Sequence, residues 1–197
     1  IASYANKFGF GEPLSVGLEN EKSGFVQTAA WKEKKTGVKW FAGETLSVAI
    51  GQGYLTATPM QLAAMTAGLA TGGKIYRPYL VKKVLDREGK TVQEFAPELL
   101  KDIALKPEYY RLVKEGLLAV VHEPGGTGAA ARLYEVKVAG KTGTSQVVKL
   151  KEKKAAASYQ HRDHALFVAF APYDKPEIAV AVVVEHGEHG GGAAAPA

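Results

Sequence analysis

Cysteine is absent from the 197 residues. The chain therefore holds no disulfide and no thiolate metal site. That absence leaves the compartment open. Arginine is scarce: of 25 basic residues, five are arginine and twenty are lysine. Base and phosphate recognition leans on the arginine fork, and no stripe of interleaved basic and aromatic residues occurs. Nucleic acid is thus not an expected partner. Long apolar runs are also lacking. The longest, such as IAVAVVV at 178–184, fall far short of the roughly 20 residues a spanning helix needs. No leader is visible, so any membrane anchor or export signal is expected outside these residues.

What is present is an ordinary globular composition, 46% hydrophobic and 23% charged. The length suits one domain, or most of one, with a real core. The net charge of +5 reads as a lysine-coated, solvated surface. It also suits an anionic substrate or envelope.

Local patterns place the elements. IASYANKFGFG opens inside an amphipathic pattern, with Ala2, Ala5 and Phe8 near one helical face and Gly9 and Gly11 ending it. Residues 12–45 read as a long irregular connection pinned by Trp31, Trp40 and Phe41. At TPMQLAAMTAGLATGG, Thr58 is a cap, Pro59 suits the first turn and Gln61 sits three after the cap, which predicts a buried helix stopped by Gly72 and Gly73. RPYLVKKVLDREGKTVQEF predicts a hairpin turning at Arg87-Glu88-Gly89. Pro107 starts a second helix, in which Tyr109, Leu112, Val113, Leu117, Val120 and Val121 recur at helical spacing. YEVKVAGKTGTSQVV, HALFVAFAPY and EIAVAVVVEHG predict three strands, the last two antiparallel across a short turn. Their apolar character predicts a sheet covered on both faces. A charged loop, KLKEKKAAASYQHRD, joins the first two. After the third comes GGGAAAPA, and no covering helix is expected to follow it.

The first of these strands is the informative one. Lys141-Thr142-Gly143-Thr144 interrupts an apolar, β-branched stretch. A strand tolerates Lys141 if its ammonium faces a cleft. Gly143 lets a ligand backbone lie against the strand. Thr142 and Thr144 offer hydroxyls to a carboxylate, and backbone N–H groups can bind an oxyanion. Cation, bare backbone and hydroxyls in four residues make a wall suited to acyl transfer.

Lys-Thr-Gly accompanies Ser-x-x-Lys and Ser-x-Asn motifs in penicillin-recognising enzymes. With GFGEPLSVGLENEKSG, WKEKKTGVKWFAGETLSVAIGQGYLTATPMQLA, DHALFVAFAP and VVVEHGEHGG, it makes the chain resemble the transpeptidase domain of class B penicillin-binding proteins, on the elongation rather than the division branch. The segments run in order along nearly the whole chain. The resemblance implies an α+β fold, an antiparallel sheet with flanking helices. It treats residues 1–197 as the C-terminal portion of one such domain, incomplete at the N-terminus and lacking the final helix.

The resemblance also implies roles. Lys141 keeps the site positive and bonds the serine of the middle motif. Thr142 and Thr144 hold the terminal carboxylate of a stem peptide or a β-lactam, with Gly143 between them. The Thr144 N–H is half of the oxyanion hole. Gly51, Gln52 and Gly53 form a supporting turn. No cofactor is implied. The histidine pairs 161/164 and 186/189 have a spacing that suits a metal only on a helix, and no metal is expected. Implied partners are stem peptide, β-lactam antibiotics, a glycosyltransferase and other elongation-complex proteins, at the periplasmic face of the inner membrane.

One departure matters. None of Ser3, Ser15, Ser23, Ser47, Ser145 and Ser158 is followed by lysine three residues on or asparagine two residues on. The nucleophile, its lysine and the middle motif are therefore expected upstream, and these residues alone are expected to be inactive. An uncovered sheet face would favour self-association. A β-lactam sensor or a scaffold of the same fold is the competing reading.

Overall fold

The computed structural model describes residues 1–147 and 158–197. The expected charged loop lies partly outside these described residues. Five α-helices form among them: α1 Ala2–Lys7, α2 Ala29–Thr36, α3 Ala42–Ala49, α4 Pro59–Ala70 and α5 Pro107–His122. The strands are β1 Lys74–Tyr76, β2 Lys83–Leu85, β3 Thr91–Glu94, β4 Leu99–Asp102, β5 Ala139–Ser145, β6 His164–Ala171 and β7 Ile178–Val184.

β5, β6 and β7 form one antiparallel sheet in that order, in continuous register from Ala139↔Phe170 to Ser145↔His164 and from Ala165↔Val184 to Ala171↔Ile178. On one face, Ala139, Phe170 and Ala179 pack with Ala70 of α4 and Leu117 and Leu118 of α5. On the other, Ala165, Phe167 and Ala169 pack with Val121, Val138, Ala194 and Ala195. β2 and β3 form the expected hairpin, and β1 pairs with β4, which the sequence reading did not separate.

Several expectations change. The stretch 12–45 is not irregular: it holds α2 and the start of α3. The Thr28 hydroxyl accepts from the Trp31 N–H at 3.1 Å, and Gly37 ends α2 in the left-handed region. WKEKK lacks an apolar period, so its helix rests on caps and good helix formers rather than on patterning. Lys32, only 8% exposed, donates to Glu44 at 2.6 Å and to the Lys39 carbonyl at 2.9 Å, joining α2 to α3. Trp31 packs between Phe25 and Tyr54, whereas Phe41 is 61% exposed and pins little.

The first motif strand is shorter than its pattern suggested. Residues 134–138 stay outside the ladder: the Val138 N–H donates to His122 Nε2, and the Lys137 carbonyl still meets the segment just past β6, accepting from the Tyr173 N–H. Among the described residues the sheet is not covered throughout: β7 is an edge, and Ile178 is 65% exposed. A cavity of about 350 Å³ opens on that face beside Ile178, Val180 and Val182. On α5 only Val121 is fully buried, while Tyr109, Leu112 and Val113 remain exposed. Finally, Gly190–Ala194 forms a helical turn, of the wide π type, and Ala194 is fully buried against the sheet.

One side chain organises the first half. Gln61 is 1% exposed. The two N–H groups of its amide nitrogen are shared among the carbonyls of Gly9, Glu12 and Ser23 at 3.1, 3.0 and 2.7 Å, and its oxygen accepts from the Thr58 N–H at 2.9 Å. Gln61→Leu strands these groups and is expected to cost at least about 3 kcal/mol, read by urea denaturation. Glu44 gives a second test. The Lys32 ammonium, and then the Phe41 N–H, hold its carboxyl below the usual carboxylate range. A depressed carboxyl stabilises the fold above its unfolded value, and that contribution is lost as pH falls through the folded one. Acid titration of Glu44→Gln should therefore show a shallower loss of stability than the wild-type chain.

Candidate functional site

Among the described residues β5 is an edge strand, and no strand pairs with its other side. Opposed residues of an antiparallel pair alternate between exchanging both backbone bonds and exchanging none. The Thr142 carbonyl accepts from Lys141 Nζ at 2.9 Å, and the Thr144 carbonyl accepts from Gln52 Nε2 at 3.1 Å. These carbonyls therefore point away from β6. In a strand, a residue's N–H points the same way as its carbonyl, so the Thr142 and Thr144 N–H groups also face the open edge.

The side chains divide by parity. Thr142 and Thr144 lie opposite Phe167 and Ala165, on the face covered by the Gly190–Ala194 turn. Lys141 and Gly143 belong to the other face, opposite Val168 and Leu166. Lys141 is exposed, and its long stem brings the ammonium round to the edge at the Thr142 carbonyl. A methyl at Gly143 would meet Leu166 Cβ at 3.4 Å, an ordinary contact, so packing does not demand glycine there.

A cleft of about 370 Å³ forms over the threonine face, lined by Thr127, Thr142, Gly143, Thr144, His189, Gly190 and Gly191. None of these lining residues is acidic. Thr127, from the loop after α5, shares a hydroxyl hydrogen bond of 2.9 Å with Thr142. The sequence reading missed Thr127, and gave no role to His189, Gly190 or Gly191. The only signals were glycines flanking Thr127 and a family-like HGEHGG segment. Gly190 packs against the motif strand: a Cβ there would lie 2.5 Å from the Gly143 carbonyl oxygen, and closer still to that of Leu166. A Cβ on Gly191 would collide with the Thr127 carbonyl. The cleft wall is thus bare backbone by steric necessity.

Gly51, Gln52 and Gly53 do not line this cleft, and Gln52 reaches the motif strand through its side-chain amide. The histidine pairs separate. His164 and His186 meet edge to face with ring centroids 4.8 Å apart, and the His186 N–H donates to His164 Nδ1 at 2.9 Å. Among the described residues no three His, Cys, Asp or Glu side chains gather closely enough to hold a metal ion.

A cation at the end of a strand edge, two outward N–H groups and clustered hydroxyls give this edge the groups that a Lys-Thr-Gly strand offers in penicillin-recognising enzymes. The comparisons agree. The penicillin binding protein transpeptidase domain model matches residues 1–197, and the chain belongs to that family. It is 40% identical over 195 residues to the peptidoglycan D,D-transpeptidase MrdA of Acinetobacter baumannii, covering 97% of this chain and 29% of that protein. It is 37% identical to MrdA of Haemophilus influenzae, covering 100% of this chain and 31% of the relative. The chain therefore spans less than a third of those relatives' length. Among solved structures it is similar to penicillin-binding protein 2 of Pseudomonas aeruginosa, with a TM-score of 0.80, 41% identity, and 99% of this chain and 41% of that one covered. The same protein from Helicobacter pylori, solved in complex with MreC, gives a TM-score of 0.77 at 34% identity, with 95% and 32% covered.

The steric constraint is testable. Gly190→Ala pushes a methyl into backbone on two strands and should destabilise the chain by about 1–3 kcal/mol, measured by thermal melting. Gly143→Ala should melt close to wild type.

Proposed function

We propose that this chain carries the Lys-Thr-Gly half of a serine-type D-Ala-D-Ala transpeptidase active site. The whole protein would cross-link peptidoglycan stem peptides through an acyl-serine intermediate. The observation that carries the reading is the open edge of β5. It presents the Thr144 N–H beside the hydroxyls of Thr127, Thr142 and Thr144 and the Lys141 ammonium.

The chemistry follows from that arrangement. A serine oxygen attacks the carbonyl of the penultimate D-Ala, and the bond to the terminal D-Ala breaks. The developing oxyanion accepts from the Thr144 N–H and from the N–H of the nucleophile. Losing one such donor typically costs about 2.7–4 kcal/mol of transition-state stabilisation. The leaving residue's carboxylate is held by the threonine hydroxyls in a lysine-positive field. An amine from a neighbouring strand then attacks the acyl carbon and releases the serine. A β-lactam enters by the same route and stops at the acyl-enzyme. Since neither Ser-x-x-Lys nor Ser-x-Asn occurs in the 197 residues, the nucleophile comes from another part of the protein.

No helix among the described residues is long and apolar enough to cross a membrane. The anchor is proposed to lie elsewhere in the protein, with this domain on the periplasmic side. The Helicobacter relative's complex with MreC supports an elongation-complex setting, alongside a glycosyltransferase. Self-association of the isolated chain through the face beside β7 is expected.

The deciding measurement is intact mass after excess benzylpenicillin, on this chain and on the full-length protein. A single adduct is expected on the full-length wild type only, with strongly slowed formation in its Lys141→Ala variant. An adduct on these 197 residues alone would contradict the mechanism. Full-length protein that takes no penicillin, or Lys141→Ala acylated at the wild-type rate, would favour a scaffold.

A further inference from the structure

We propose that Gln52 is a positioning residue for acyl transfer at the open edge of β5, with buried Gln27 as its support; this rests on the acyl-transfer reading above. Gln52 Nε2 donates to the Thr144 carbonyl at 3.1 Å, across 92 positions of sequence. That carbonyl shares the strand edge with the Thr144 N–H, which faces the reacting carbonyl. At an open edge such a carbonyl otherwise bonds to water, which imposes no direction. Held by Gln52, the backbone at Thr144 is fixed, and with it the aim of its N–H and hydroxyl.

Gln52 is itself held. Its N–H donates to the Ser47 carbonyl at 2.9 Å, at the end of α3. Gly51 and Gly53 flank it with φ of +75° and +89°, a region that side-chain-bearing residues rarely enter. A Cβ on Gly53 would sit 2.7 Å from Gln27 Nε2. Gln27 is 5% exposed, and its side-chain oxygen accepts from the Tyr54 N–H. A buried amide thus braces a two-glycine turn, and the turn aims a second amide at the motif strand. A turn that merely ended α3 would require neither the buried brace nor the cross-chain bond.

The residue type matters too. The Thr144 carbonyl needs a donor, and Lys141 already supplies charge at this edge. A neutral amide donates without adding a second cation. An ionised carboxylate could only accept, and would repel the carbonyl.

The test uses the full-length protein and stopped-flow acylation by benzylpenicillin, which separates the initial Kd from the acylation rate constant. Gln52→Ala is expected to lower the rate constant about five- to tenfold, the worth of one directed hydrogen bond. Kd and melting temperature should stay close to wild type. Gln52→Glu should lose more at neutral pH and recover relative to wild type on acidification, because a protonated carboxyl regains a donor. Gln27→Leu should shift the rate constant in the same direction by less. Rates equal to wild type in Gln52→Ala and Gln52→Glu, with parallel pH profiles, overturn the positioning role. So does a loss confined to Kd, or one that tracks a lowered melting temperature. Wild-type protein that takes no penicillin overturns the acyl-transfer reading and this proposal with it.

Discussion

The pairing of β5 with β6 is the constraint on which the rest of the site depends. Seven consecutive residues of β5 are opposed to β6, from Ala139 to Ser145, without a bulge. Strict alternation then decides everything downstream. Thr142 and Thr144 turn their backbone groups to the free edge and their hydroxyls to one face. Lys141 and Gly143 turn theirs the other way. A slip of one residue would exchange the two sets, aim the wrong N–H groups outward and bury hydroxyls in place of apolar side chains. The apolar residues of β6 hold the register. Phe167 and Phe170 are nearly fully buried on opposite faces, so neither face can be given up.

Glutamine amides stabilise what the sheet does not reach. Gln61 gathers four backbone groups of the first half, those of Gly9, Glu12, Ser23 and Thr58, at one buried point. Gln27 supports the turn that follows α3, and Gln52 carries that support to the motif strand. An amide suits this work because it donates and accepts without charge, so its burial costs little once every atom is bonded. A charged side chain in the Gln61 position would have no counter-ion among the carbonyls it meets. Lys32 is the contrasting case: it is buried as an ion, and Glu44 lies 2.6 Å away.

Much of the cleft is made by residues too small to signal themselves. Gly190 and Gly191 line it because any side chain there would strike the backbone of β5, β6 or the loop at Thr127. That close approach lets the loop after α5 meet the segment after β7 over the motif strand. Thr127 then comes within 2.9 Å of Thr142, and a third hydroxyl joins two supplied by the strand.

Local chemistry wrote α4, the β2–β3 hairpin, α5 and the three final strands legibly into the sequence, since caps, prolines and period-two patterns act over a few residues. Lys141-Thr142-Gly143-Thr144 was equally legible, as polar residues in a strand that packing alone would fill with apolar ones. Helix α2 was not, because its lysine-rich surface carries no apolar period and its stop and start lie in caps. The exposure of Tyr109, Leu112 and Val113 on α5 was not either, because periodicity reports that a face is apolar and not that anything covers it. By itself, then, the sequence determined which strand is the candidate for the chemistry. Which edge of that strand is open, which loop residues stand across the cleft and which distant amide holds the Thr144 carbonyl were decided by tertiary structure alone. Those are contacts between segments 15 to 92 residues apart, and no local preference encodes them.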